Sequence, residues 1–237
     1  MPLKLAQNKK KIMKEIVEEI KRLQKINSLN IQLPVHAKSV EFFEELTQFL
    51  FPIRSDKLNC EITSCNSLEN ISNMFTVLLD LCGSEIANME ELSNSFFKQL
   101  PQIYQDLIED ATLILKNDPA AKSLEEIVLT YPGFFAIMTY RICHVLFKLR
   151  IPVLPRLISE YGHSKTGIDI HPGAKIETPF FIDHGTGIVI GESCEIGKNV
   201  KIYQGVTLGS LIVKKELKNK KRHPTIEDNV VIYSNAT

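Results

Sequence analysis

The sequence predicts an α+β protein in two parts, an all-helical N-terminal half (residues 1–162) and a parallel β-helix (163–237). The first observation behind this is a six-residue rhythm. Ile170, Ile176 and Ile182 are followed, after a two-residue slip, by Ile190, Ile196, Ile202 and Leu208, and later by Ile226 and Ile232. Four positions after most of them comes a small or apolar residue: Ala174, Phe180, Cys194, Val200, Val206, Val230 and Ala236. Such repeats stack as triangular coils of about 18 residues, with the recurring aliphatic side chain pointing inward. The second observation is that apolar residues before 162 recur at spacings of three and four. The third is the composition shift at that point, with no strand pattern before it and no long helix after it.

Taken in order, residues 9–26 read as an amphipathic helix, because Ile12, Ile16, Ile20 and Leu23 share a face among lysines and glutamates. A polar turn at 27–30 precedes a second helix near 39–50, and 51–66 reads as loop. Residues 68–82 form a helix closed by Gly83. Helix resumes near Ser84 and is interrupted or restarted at Pro101, after which Ile103, Leu107, Ala111 and Ile114 mark one face. Asn117-Asp118-Pro119 ends that helix, since proline disfavours αR geometry in the residue before it. Ser123 with Glu126 forms a capping-box pattern for a short helix, which Tyr131-Pro132-Gly133 breaks. A strongly apolar helix then spans 134–149, with Arg141, His144 and Lys148 on one side, and a last helical piece covers 155–162. In the second half, Leu211–Arg222 departs from the rhythm and reads as a loop extruded from the coil. The repeat stops at Thr237 without a cap, so a fragment of a longer chain is expected.

The chain as a whole narrows the classes. Its 237 residues allow a sizeable core, and 28 basic residues against 28 acidic ones argue for neither nucleic acid nor a membrane surface as partner. Five cysteines without CxxC spacing argue against a disulfide framework or a zinc cluster, and for a reducing, cytoplasmic location. The N-terminus has no signal-peptide core, and no apolar run reaches a membrane span.

The motifs DIHPGAKI, FFIDHGTGIVIGE, VTLG, RHP and V-I-x-x-x-A together resemble the serine O-acetyltransferase family. NDPAAKS and YPGFFAIMTYRICHVL are similar to that family's helical N-terminal domain. The resemblance covers residues 110–237 strongly and 1–110 only in helical character. It implies a left-handed β-helix and transfer of an acetyl group from acetyl-CoA to the hydroxyl of L-serine, giving O-acetyl-L-serine. Acetyl-CoA is then a co-substrate, with no tightly bound cofactor.

Such a transfer needs a base, because a protonated serine hydroxyl is a poor nucleophile; His184 in DHGTG is the candidate. An acid that fixes the imidazole's tautomer improves it. Asp169, fifteen positions earlier, lies close to one coil away and is the candidate partner. By resemblance, Asp118 and Asp183 take the amino group and hydroxyl side of serine. Arg222, with His223 beside it, takes the carboxylate. Glu192 either supports His184 or occupies a turn. Gly209, Ser210 and Ser234 stand where the family contacts CoA, although the family's Gly-Gly turn after TLG is replaced here by Ser210-Leu211-Ile212-Val213. Lys214, Lys215, Lys218, Lys220 and Lys221 read as a solvated face, with CoA phosphates as the alternative. His144, His163 and His171 lack metal-ligand spacing, which disfavours a γ-type carbonic anhydrase. A sugar acetyltransferase, or a non-catalytic partner of O-acetylserine sulfhydrylase, are the remaining alternatives. The resemblance further implies trimers paired into a hexamer, with the active site between subunits, and a sulfhydrylase contact through a C-terminal tail.

Overall fold

The structure is a computed structural model that describes residues 2–26, 35–55, 65–83, 89–210 and 220–237. It divides into two compact units, Met1–Leu33 and Pro34–Thr237. The first holds helix α1 (Pro2–Ile26), which begins well before the predicted start at residue 9. Its stripe of Ile12, Ile16, Ile20 and Leu23 is exposed. Arg22 and Glu19, one turn apart, pair at 2.6 Å.

The second unit begins with α2 (Val35–Leu50), a 3-10 turn at Pro52–Arg54, α3 (Cys65–Cys82), α4 (Met89–Phe97) and α5 (Leu100–Asn117). The predicted loop at 51–66 therefore contains the 3-10 turn and the start of α3, and its middle, 56–64, lies outside the described residues. So does the predicted restart near Ser84. Pro101 sits in the first turn of α5, where a missing N–H leaves no intrahelical bond unmade. Phe42, Phe75 and Phe96 cluster between α2, α3 and α4, Phe42 stacking on Phe75. The predicted face of α5, Ile103, Leu107, Ala111 and Ile114, is buried.

Ser123 caps α6 (Leu124–Thr130) by accepting the Glu126 N–H at 3.2 Å. The Glu126 carboxylate turns back to the Lys122 N–H at 2.7 Å, one residue beyond the usual capping-box partner. Tyr131 alone separates α6 from α7 (Pro132–Lys148), because Pro132 suits the first position of a new helix. The last helix, α8 (Leu154–Thr166), runs past the predicted end at 162 and is closed by Gly167 in the left-handed region.

The repeat then builds three coils. The first is β1 (Asp169–Ile170), β2 (Lys175–Ile176) and β3 (Phe180–Ile182). The second is β4 (Val189–Ile190), β5 (Glu195–Ile196) and β6 (Val200–Ile202). The third is β7 (Thr207–Leu208), β8 (Thr225–Ile226) and β9 (Val231–Ile232). They form three parallel sheets, β1-β4-β7, β2-β5-β8 and β3-β6-β9, the faces of a left-handed β-helix. Ile170–Ile190–Leu208, Ile176–Ile196–Ile226 and Ile182–Ile202–Ile232 stack in register. The two-residue slip is absorbed in the corner between β3 and β4, and the extruded loop, 211–219, lies outside the described residues.

The helices of this unit and the coil share one hydrophobic core, and a set of buried polar contacts fixes their register. The Tyr140 hydroxyl donates to the Ala174 carbonyl at 2.7 Å and accepts the Ile176 N–H at 3.0 Å. Arg141 forks onto Asp110 of α5 at 2.7 and 2.8 Å and donates to the Ile176 carbonyl at 3.0 Å. Asp110 also accepts the Phe180 N–H at 2.8 Å. Gly133 lies against β3 so closely that a Cβ there would sit 2.3 Å from the Ile182 carbonyl oxygen. The same β3 strand leads directly into the DHGTG corner.

Candidate active site

The β3–β4 corner carries Asp183 and His184. His184 adopts φ 55°, a left-handed conformation uncommon for a non-glycine residue, and its side chain is 74% exposed. The next residue must be glycine. Gly185 has φ 90°, and a Cβ there would meet Ile168 Cδ1 at 2.4 Å. The imidazole Nδ1 lies 3.9 Å from Asp183 Oδ1, an ion pair when the ring is protonated.

Asp118 closes α5, and both its oxygens are engaged. Oδ1 accepts the Ala120 N–H at 2.8 Å, and Oδ2 accepts the Tyr131 hydroxyl at 2.6 Å. That bond, with burial and the nearby Glu126 and Asp183 charges, pushes the Tyr131 phenol up to about 12. Burial, then Asp183, Tyr233 and Asp118, raise the Tyr203 phenol as well. Asp118 and Asp183 thus act on the same two tyrosines. Tyr203 in turn stacks on Tyr233, with centroids 5.5 Å apart. The corner thus carries an accessible imidazole beside the Asp183 carboxylate.

Asp169 pairs in register with Val189, twenty residues further on, so one turn of this coil spans twenty residues. The two inserted residues lengthen this coil, so the fifteen-residue spacing does not correspond to one turn. Among the described residues no hydrogen bond or ion pair joins Asp169 to His184. Glu192 does not engage His184 either; its Oε2 accepts Arg222 Nη2 at 2.6 Å.

Arg222 and His223 belong to a second cluster at the β4–β5 corner. Ser193 Oγ accepts the backbone N–H of Arg222 (3.0 Å) and of His223 (3.2 Å), and lies 2.8 Å from His223 Nδ1. Burial and Arg222 lower the His223 pKa. Gly209 and Ser210 share the wall of a cavity of about 800 Å3 with Arg222 and His223, whereas Ser234 is exposed and does not line it. Of the loop lysines, Lys221 pairs with Glu195 at 3.1 Å, while Lys214, Lys215 and Lys218 lie outside the described residues. Among the described residues there is no cluster of three or more His, Cys, Asp or Glu side chains that would hold a metal ion. Nor does any helix among them have the length and apolarity to cross a membrane. Tyr131, Tyr203 and Ser193 were not singled out from sequence; the contacts that implicate them join segments far apart in the chain.

A helical layer sealed onto a left-handed β-helix, with an acid–histidine corner between β3 and β4, defines the class of hexapeptide-repeat β-helix proteins. No family model matches the chain. A plasmid-encoded serine acetyltransferase of Synechococcus elongatus is 50% identical over 152 residues, covering 62% of this chain and 48% of that protein. The chain spans about half the length of the curated relatives it matches. Entamoeba histolytica serine acetyltransferase 1, solved in complex with L-cysteine, superposes with a TM-score of 0.73 at 32% identity, covering 82% of this chain and 81% of that one. A serine acetyltransferase solved in complex with CoA superposes with a TM-score of 0.54 at 25% identity, covering 83% of each chain. The chain belongs to the serine acetyltransferase family.

Proposed function

We propose that the protein transfers the acetyl group of acetyl-CoA to the hydroxyl of L-serine. The observation that carries this reading is the β3–β4 corner, where an exposed imidazole lies 3.9 Å from the Asp183 carboxylate, an acid suited to an ammonium group. His184 takes the proton of the serine hydroxyl as its oxygen attacks the thioester carbonyl. The tetrahedral intermediate collapses, the C–S bond breaks, and the imidazolium returns the proton to the departing CoA thiolate. Asp118, held by Tyr131, and Asp183 receive the ammonium group. Arg222 and His223 receive the carboxylate. Asp169 orients His184 by family analogy, and Gly209 and Ser210 contact CoA.

Within one chain the base and the carboxylate-binding pair occupy different corners of the coil. This supports an assembly in which a neighbouring subunit brings its Arg222 and His223 to the His184 corner, as in a trimer or a dimer of trimers. In this reading the helical half, 1–162, contributes Asp118 and subunit contacts. Inhibition by L-cysteine and a complex with O-acetylserine sulfhydrylase extend the same proposal.

The test is an acceptor screen on the full-length protein, reading CoA release with L-serine, D-serine, L-threonine and hydroxyl sugars. L-Serine turning over at least about tenfold faster than any other acceptor supports the assignment. Equal or better turnover with a sugar overturns it.

A further inference from the structure

We propose that Gly191 and Ser193 hold His223 as a neutral imidazole protonated at Nε2, so that it serves the acceptor as a hydrogen-bond donor and never as a base. The proposal deepens the acetyltransferase reading and rests on it for the acceptor's identity. The Ser193 amide is an N–H that can only donate. It points at His223 Nδ1 at 3.1 Å, so that nitrogen carries a lone pair and the ring proton sits on Nε2. The Ser193 hydroxyl, 2.8 Å from the same nitrogen, then donates as well, while its oxygen accepts the Arg222 and His223 amides. One serine therefore fixes the backbone that carries the ring and the ring's tautomer together.

The coil below shows why the slot exists. There His171 Nδ1 accepts the Gly173 N–H at 3.0 Å, a bond between a residue and the amide two positions on. Register places Gly191 over His171 and Ser193 over Gly173. Gly191 has no side chain to offer, and His223 occupies its place. A Cβ on Gly191 would lie 2.1 Å from His223 Cδ2 and Nε2. The imidazole thus replaces, from a distant part of the chain, the side chain that the repeat lacks at that position. Protonating Nδ1 would set its proton against the Ser193 N–H. Of the charged groups facing the ring, Arg222 and Lys221 oppose the imidazolium and Glu192 favours it, and burial outweighs all three.

Nitrogen NMR of the full-length protein labelled in histidine reads the tautomer without reference to turnover. His223 is expected in the Nε2–H form at pH 7, and Ser193→Ala, which keeps the amide but loses the hydroxyl, is expected to weaken that preference without reversing it. Acceptor kinetics supply the second arm. Ser193→Ala should raise KM for L-serine roughly 10- to 100-fold, the range for a hydrogen bond to a charged group, with kcat changed far less. Ser193→Thr should restore it. His223→Gln, which keeps an N–H near the Nε2 position, should retain at least about ten times the kcat/KM of His223→Ala. An Nδ1–H form, or imidazolium, at pH 7 overturns the tautomer assignment whatever the kinetics. The expected tautomer with His223→Gln no better than His223→Ala overturns the donor role. The expected tautomer in a protein inactive towards L-serine leaves the positioning intact and rejects the acetyltransferase reading instead.

Discussion

Asp110→Ala would remove a carboxylate that is wholly buried and accepts three hydrogen bonds, two from Arg141 and one from the Phe180 N–H. Burial pushes the Asp110 carboxyl up, while the Arg141 fork and the Phe180 amide pull the other way. Without Asp110, the Arg141 guanidinium is 7% exposed and keeps the Ile176 and Glu177 carbonyls as its bonded partners. Removing one member of a buried pair in this way typically lowers stability by about 3–5 kcal/mol, because the other charge stays behind. The orphaned Phe180 amide belongs to the same network, so its contribution is not added separately. Set against a typical domain stability of about 5–15 kcal/mol, the loss is large. Urea unfolding followed by circular dichroism reads it as a lower midpoint at unchanged slope. Asp110→Ala/Arg141→Met should recover at least about half the loss, since no unpaired charge then remains. A loss below about 1 kcal/mol, or a double variant no better than the single, would refute the reasoning. Because Asp110 and Asp118 share α5, and Phe180 begins the strand leading to Asp183, the folded fraction should also bind serine more weakly.

Other perturbations probe the site and its support. Tyr131→Phe deletes the donor to Asp118 Oδ2; KM for serine should rise by roughly 10- to 100-fold at nearly constant kcat, and steady-state kinetics showing no change would count against Asp118 as the ammonium partner. Burial lowers the His144 pKa below the ordinary imidazole value, against the bond to the Pro172 carbonyl and with Lys148 and Arg141 adding to the effect. The unfolded chain therefore takes up the proton first; stability is complete above about pH 6.5 and falls as pH drops through the folded value. His144→Gln should flatten part of the fall in urea midpoint between about pH 7.5 and pH 5, and His171 and His223, which shift the same way, contribute to what remains. A midpoint that fell as steeply in the variant would exclude His144 as a contributor.

What was legible in the sequence follows from which forces are local. The aliphatic residue every six positions must face the coil interior, so all nine members of the series from Ile170 to Ile232 fall on strands. The Asn-Asp-Pro helix stop and the Ser123 cap were equally legible, being set by residues a few positions apart. Register was not. The slip between Ile182 and Ile190 was visible, but not its effect of lengthening the coil to twenty residues, which sets Val189 opposite Asp169 in the strand register. Glu192 was ambiguous because its partner, Arg222, arrives from thirty residues away. Asp110 resembled any acid on an amphipathic helix until Arg141 and the Phe180 amide converged on it. The stripe on α1 announced a helix correctly, but amphipathicity does not say what covers the apolar face, and here it is exposed. The candidate base was legible through its DHGTG setting, and its left-handed backbone and the glycine after it gave that motif a physical reason.

The central claim is that the β3–β4 corner performs acetyl transfer with His184 as base. Initial rates of CoA release at saturating acetyl-CoA and L-serine, compared between the full-length protein and its His184→Ala variant, test it most directly. The account predicts that kcat falls by about 10²- to 10⁴-fold while KM for serine stays within a few-fold. A variant that retains kcat within tenfold of the parent would contradict it.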